Sequence, residues 1–335
     1  MLKVGIIGVR QIGNLHADCY QSSPHARVVA VCDIIPERAD HAAHRLGVRA
    51  YHNMHQMLDN EDLDIVDVCT GGKENGGDHY APVMAGLEAG CHVLCEKPIS
   101  NNIEFARRMV AKAADRGLCF GINLNYRFAP ACVRARQWID EGRLGEVNFV
   151  NKCLWIANAR DDEWFHLRAL HPHSIDVLRV LCGDVRFVHA FLKRSEGRTC
   201  WSNASINLKF ASGVVGHLTG SYDMTTRHPM ERTEIAGTRG RLVFENVFED
   251  LWFYPHDSDE ITHIHNPIFG GIKSFDDTFR VRIHRFCEQI AEGASPDCVE
   301  GSGLDGLRAQ ETIEAAILSH ASGQVEQVPP QSPGV

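Results

Sequence analysis

A chain of 335 residues exceeds what one compact core usually supports, so two domains are expected. Acidic residues outnumber basic ones 43 to 34, for a net charge of −9, and the Lys and Arg residues form no run that would follow a phosphate backbone, so nucleic acid is not an expected partner. MLKVGIIG enters an apolar strand at once, and no apolar stretch is long enough to span a bilayer; a cytoplasmic protein without membrane contact is expected. The 12 cysteines stand singly in apolar runs such as AVCD and DVCT, without CxxC spacing, and read as reduced core residues.

Residues 1–123 alternate strand-like and helix-like segments. LKVGIIG, ARVVAVCD, LDIVDVCT, HVLCEKP and LCFGINL are short apolar runs rich in β-branched residues, as strands covered on both faces should be. Helical stretches lie between them: IGNLHADCYQ, PERADHAAHRLG with Pro36 in its first turn, and IEFARRMVAKAADRG, with Gly47 and Gly117 where helices stop. This is the rhythm of a doubly wound parallel sheet, the Rossmann fold. Residues 124–330 read as an α+β domain around a large, mostly antiparallel open sheet. PACVRARQWIDEG and PHSIDVLRVLCG are helical, with the strand GEVNFVNKCLWI between them. VRFVHAFLKR, SNASINLKF, GVVGHLTGSYD, RTEIAG, RLVFEN and DLWFYP follow without intervening helices. Two helices, at 275–293 and 303–322, close the chain, and 331–335 form a tail expected to fray.

GIIGVRQIG follows the first strand and opens the first helix, the setting of a dinucleotide-binding turn. Gly8 would make the tight turn and Gly13 the close helix packing, while Arg10 replaces the middle glycine. Arg10, Gln11 and Ile12 complete the expected contact with the cofactor's diphosphate. Asp33 ends the second strand about 20 residues after the turn, where a carboxylate accepts the ribose hydroxyls and repels a 2′-phosphate. NAD is therefore favoured over NADP, although Arg10 and Arg38 are groups that suit a phosphate. The plainer alternatives are chance glycines and a helix cap before Pro36.

HVLCEKPIS, followed by the helix IEFARRMVAKAADRG and by GINLNYRFAP, resembles the Gfo/Idh/MocA oxidoreductases, two-domain NAD(P)-dependent enzymes of sugars and polyols. HSIDVLRVLCGD, LKFASGVVGHLTGS, EIAGTRGRLVFEN and the closing LDGLRAQETIEAAILSHASG extend the likeness over nearly the whole chain. It implies that Lys97 of the Glu96-Lys97-Pro98 motif reaches the substrate hydroxyl, with Glu96 and Lys97 beside the cofactor. A cis Lys97–Pro98 bond is expected. The family's T-P-N loop and nearby histidine become Thr70, Gly71, Gly72 and, after an insertion, His79, all expected at the cofactor.

In LRALHPHSID, Pro172 suits a first helical turn, and His173 and Asp176 share a helix face. They match the last two residues of the family's Asp-His-Asp motif, which implies His173 as general acid/base and Asp176 as a substrate ligand. The motif's first aspartate is absent. Ala169 stands in its place, with His171 as the nearest substitute, and Arg168 and Trp164 could reshape the pocket instead. Tyr126 and Arg127, with Asn123 and Asn125, are candidates at the domain junction, for substrate or for packing. No metal is expected, although His171, His173 and Asp176 leave a zinc or manganese site open; His256, His263 and His265, in HDSDEITHIH, read as a hairpin or cleft-edge loop.

The expected function is hydride transfer between NAD and a secondary alcohol of a sugar, an inositol-like polyol or a glycoside, by a homodimer or homotetramer. Two alternatives stay open: a non-catalytic NAD-binding sensor, and a lyase or glycosidase that uses NAD transiently.

Overall fold

The computed structural model describes residues 1–71, 78–224, 229–266, 272 and 274–330. The first unit opens with β1 (Leu2–Ile7), α1 (Gln11–Gln21), β2 (Ala26–Cys32), α2 (Pro36–Leu46), β3 (Arg49–Tyr51), α3 (Met54–Asn60), β4 (Ile65–Val68), α4 (Tyr80–Glu88), β5 (His92–Cys95), α5 (Ile103–Arg116) and β6 (Phe120–Ile122). Its six strands are all parallel, in the order β3-β2-β1-β4-β5-β6. β4 is buried along its whole length, which is why these runs lack polar alternation. The order reverses between β1 and β4, so the loops leaving the carboxyl ends of the strands share one crevice, where such sheets bind ligands.

The second unit begins at Tyr126. It contains α6 (Pro130–Asp140), β7 (Val147–Trp155), α7 (His171–Cys182), β8 (Val185–Lys193), β9 (Asn203–Phe210), β10 (Val215–Ser221), β11 (Glu231–Gly237), β12 (Gly240–Glu245), β13 (Asp250–Pro255) and β14 (Thr262–His265). HDSDEITHIH closes the β13–β14 hairpin, as expected. With β15 (Glu326–Gln327) these strands form a nine-stranded sheet in the order β14-β13-β12-β11-β7-β10-β9-β8-β15. Every pairing is antiparallel except that of β10 with β7. Val150, Leu154, Ile206, Leu218, Ile235 and Leu251 point inward, into one core with α6 and α7.

The expected boundary after residue 123 is corrected in one respect. α8 (Phe275–Ala291) and the chain to Leu307 return to the first unit, because Phe279, Ile283, Phe286 and Cys287 pack with Val4, Ile6 and Tyr20. α9 (Gly303–Ser322) contributes Gly303–Leu307 to the first unit, and the described chain from Arg308 onward to the second. No helix among the described residues is long and apolar enough to cross a membrane. The tail at 331–335 lies outside the described residues.

Candidate active site

Two glycines build the turn between β1 and α1. Gly8 takes φ +90, and a Cβ there would lie 2.9 Å from backbone atoms of Cys69 and Thr70; a Cβ on Gly13 would lie 1.9 Å from the Gly8 carbonyl oxygen. Either side chain would force the turn apart. Arg10 precedes α1 in an extended conformation, with no side chain capping the helix and no acidic residue in its first turn. The amides of Gln11, Ile12 and Gly13 are therefore suited to an anion.

Asp33 leaves the end of β2 buried. Its Oδ2 accepts the Val9 N–H at 3.0 Å and its Oδ1 the Ile35 N–H at 2.9 Å. The carboxylate is thus fixed beside the glycine turn, and each oxygen keeps capacity for another donor. Gly8, Arg10, Asp33, Arg38, Thr70 and Gly71 line one cavity of about 470 Å3. Gly72 lies outside the described residues. A glycine cradle that admits no Cβ, open helix amides and a fixed carboxylate together fit a dinucleotide.

His79 does not belong to that wall. It is fully buried, with Nδ1 2.8 Å from the Pro98 carbonyl oxygen and Nε2 2.8 Å from that of Thr70. Burial pushes its pKa down against those bonds, and the ring lies between the Pro98 and Thr70 segments, outside the residues that line the cavity. The Lys97–Pro98 bond is cis, as expected. Lys97 is half-buried, and burial lowers its pKa from the ordinary lysine value while the Glu96 carboxylate opposes that change.

Glu96 also departs from expectation, since it faces a buried network instead of the cavity. Its Oε1 lies 3.0 Å from His16 Nε2 and accepts the Asn123 amide, while His16 Nδ1 lies 2.8 Å from Asp67 Oδ2. Sequence reasoning missed His16 and Asp67. The available signal was a carboxylate inside IVDV, a strand otherwise wholly apolar.

In the second unit His173 stacks face to face on Tyr126, with centroids 4.2 Å apart and planes 8° from parallel. Asp176, one turn along α7, is fully buried and bound by Arg127 through Nε at 2.8 Å and through Nη2. Asp176, expected as a substrate ligand, is engaged by Arg127, and this two-pronged pair ties the Tyr126–Arg127 segment to α7. Pro172 stands in the helix's first turn, but a π-helical turn, His166–Leu170, runs straight into it.

His171, also expected at the substrate, has both ring nitrogens in buried contacts. It is fully buried, with Nδ1 3.1 Å from Ser174 Oγ and Nε2 3.1 Å from His166 Nε2. Burial holds His166 at about 4 and His171 well below the ordinary value, so two neutral rings share one N–H···N bond. Ala169 lies buried in the π turn, and its neighbour Arg168 binds Glu314 through Nε at 2.8 Å and Nη2 at 2.7 Å. His171, His173 and Asp176 do not gather into a ligand group among the described residues. On the outer face of the β13–β14 hairpin, Asp250 Oδ1 lies 2.7 Å from His263 Nε2 and 2.8 Å from His265 Nδ1, while His256 meets the Thr238 carbonyl oxygen at 3.1 Å.

Parallel strand order, glycine turn, fixed acid and shared cavity define a dinucleotide-binding protein of the Rossmann type. Residues 2–124 match the family model described as "Oxidoreductase family, NAD-binding Rossmann fold", and residues 132–243 match the GFO/IDH/MocA C-terminal domain. The chain belongs to the Gfo/Idh/MocA family and is an NAD-dependent oxidoreductase. It is 25% identical to the levoglucosan dehydrogenase of Pseudarthrobacter phenanthrenivorans, over 98% of each chain. It is 26% identical to an inositol 2-dehydrogenase of Rhizobium meliloti, over 96% of this chain and 97% of the relative. A solved levoglucosan dehydrogenase in complex with NADH and levoglucosan superposes with a TM-score of 0.88 at 25% identity, covering 98% of this chain and 99% of that one.

Proposed function

We propose that the chain transfers a hydride between NAD and one secondary alcohol of a sugar, inositol-like polyol or glycoside. The observation that carries this reading is Lys97, half-buried with a lowered pKa at the end of β5, on the same sheet edge as the glycine turn and Asp33. Relatives that are dehydrogenases of levoglucosan and of inositol support a polyhydroxylated substrate.

NAD, when bound, supplies the nicotinamide carbon that takes up or gives back the hydride. Asp33 accepts the ribose hydroxyls, and the α1 amides with Arg10 receive the diphosphate. Thr70 and Gly71 flank the cofactor, and Lys97 holds the substrate hydroxyl by a hydrogen bond. His173 takes the hydroxyl proton in oxidation and returns it in reduction. Tyr126, stacked on that ring, fixes its plane, and the Arg127–Asp176 pair anchors the helix turn that carries it. We infer also that the protein self-associates as a homodimer or homotetramer through the outer face of the second unit's sheet, where Phe149, Phe191 and Val215 are exposed.

The test is a panel of myo-inositol, levoglucosan and methyl glucosides with NAD or NADP, followed by nicotinamide absorbance. Lys97→Ala and His173→Ala are each expected to lower kcat at least about 100-fold while NADH still binds. If Lys97→Ala reduced NAD as fast as the unaltered protein, the assignment would fail. NADH binding with no turnover on any substrate would favour a sensor, a reading that Ala169 motivates. Product release with only catalytic NAD and no net reduction would favour a lyase or glycosidase.

A further inference from the structure

The contacts around His16 constrain its protons. Nδ1 lies 2.8 Å from Asp67 Oδ2 and Nε2 lies 3.0 Å from Glu96 Oε1. Ionised carboxylates only accept and a neutral imidazole carries one N–H, so both contacts are hydrogen bonds at once only in a ring protonated on both nitrogens. The Asn123 amide nitrogen, 3.3 Å from Nε2, and the Cys69 thiol, 3.3 Å from Nδ1, are the donors that would serve a neutral ring instead, and the Asn123 amide lies closer to Glu96 Oε1. His16 and Asp67 are fully buried and Glu96 nearly so, which leaves little water to substitute for either bond.

Further groups surround the ring and its two carboxylates. From α1 come Cys19 and Tyr20, both buried, with pKa values raised by burial. From the end of β4 comes Cys69, whose Sγ lies 3.3 Å from Nδ1 and 3.5 Å from Asp67 Oδ1, and whose thiol is pushed up by burial. Asn123, beyond β6, donates its amide to Glu96. α8 adds the Phe279 ring, edge-on at 5.7 Å, with Cys287 acting on Tyr20 and Arg280 on Cys19. On the far side of Glu96, Oε2 lies 3.3 Å from the Lys97 amide.

We propose that His16 is a positioning residue for Lys97: bonded between Asp67 and Glu96, it holds the Glu96 carboxylate where it balances the neighbouring ammonium, and ties it to the helix whose first turn receives the cofactor diphosphate. This rests on the reading of Lys97 as the lysine that meets substrate. Electrostatics support the geometry. Burial disfavours an imidazolium, yet the Asp67 carboxylate, with Cys69, holds His16 well above the ordinary value. Burial would also raise Glu96, but His16, then Lys97 and Asn123, bring it down to about 2. Without the His16 charge, Glu96 and Asp67 would face each other with no cation between them. A proton taken up by Glu96 would then deprive Lys97 of its counter-charge, and the lysine pKa would fall further.

The test needs no substrate. Imidazole nitrogen NMR at about pH 8 should show His16, assigned by its loss in His16→Asn, protonated on both nitrogens; a single N–H at that pH would overturn the proposal. Competitive acetylation read by mass spectrometry gives the titration midpoint of Lys97. His16→Asn and Glu96→Gln should each lower it by about one unit, giving about tenfold more acetylation below the midpoint, and the double variant no more than either alone. An unchanged midpoint in a folded, NADH-binding His16→Asn protein would defeat the idea. Should that variant not fold, Glu96→Gln with an unchanged midpoint would do the same. An inactive substrate panel would count against the proposed function without moving these readouts, and unchanged readouts would leave that function standing.

Discussion

At Asp33 the carboxylate already accepts the Val9 and Ile35 amides, so its position is set before any ligand arrives. Its charge opposes a 2′-phosphate, whereas Arg10 and Arg38, in the same cavity, would attract one. Asp33→Ala should therefore weaken NAD and strengthen NADP, moving the ratio of their dissociation constants by about 100-fold in fluorescence titrations with NADH and NADPH. An unchanged ratio in a variant that still melts cooperatively would place the discrimination elsewhere. Gly8, Gly13 and Asp33 were legible in the sequence because each is defined by short spacing from a strand end, whereas Lys97 was picked out only by the resemblance of Glu96-Lys97-Pro98 to the family's motif. His16 was not, since its partners lie 51 and 80 residues away and a lone histidine in a helix has no distinguishing period. Nor could spacing show that Asp176 is committed to Arg127, 49 residues before it.

The junction of the π turn with α7 is the element on which the second unit's site depends. A Cβ on Gly220 of β10 would lie 1.9 Å from His171 Nε2 and 2.9 Å from His166 Nε2. Gly220→Ala must push the helix off the strand, and a loss of about 1–3 kcal/mol in urea unfolding is expected. The same histidines make stability depend on pH. His166 protonates near 6.5 when unfolded but only at about 4 when folded, so between those values the unfolded chain binds more protons. Stability should fall as pH drops through that window, by on the order of 3 kcal/mol when fully crossed. Glu96, lowered to about 2, acts in a separate window below its unfolded value near 4.5, where stability is lost as pH falls. His166→Asn should make the upper window shallower without changing the lower one, the buried His171 keeping its own share; a slope equal to that of the unaltered protein would mean His166 does not contribute to it. Most strands were legible as β-branched runs. β3 has only three residues, too few to show a period, and the return of α8 to the first unit depends on contacts with β1 and α1 that no local pattern encodes.

For the whole molecule, the outer face of the nine-stranded sheet poses a problem of solvation. An antiparallel sheet with one face packed on helices usually turns polar residues outward on the other. Here Phe149, Phe191 and Val325 are 57%, 59% and 63% exposed, and Phe149, Phe187, Val215 and Val325 line a groove of about 570 Å3. The same groove also carries Asn151, His189, Asn207, Lys209 and His217, and a mixed face of this kind can be covered by a second copy of itself around a twofold axis. Phe149 and Val215 are direct partners in the parallel β7–β10 ladder, so Phe149→Glu with Val215→Glu would set two carboxylates side by side and repeat them across the axis. If the chain self-associates through this face as proposed, sedimentation should then shift to a monomer at micromolar concentration. NADH affinity should hold, because every residue lining the dinucleotide cavity belongs to the first unit. If the doubly substituted chain sedimented like the unaltered one, the face would not be the interface, and these exposed side chains would require another partner.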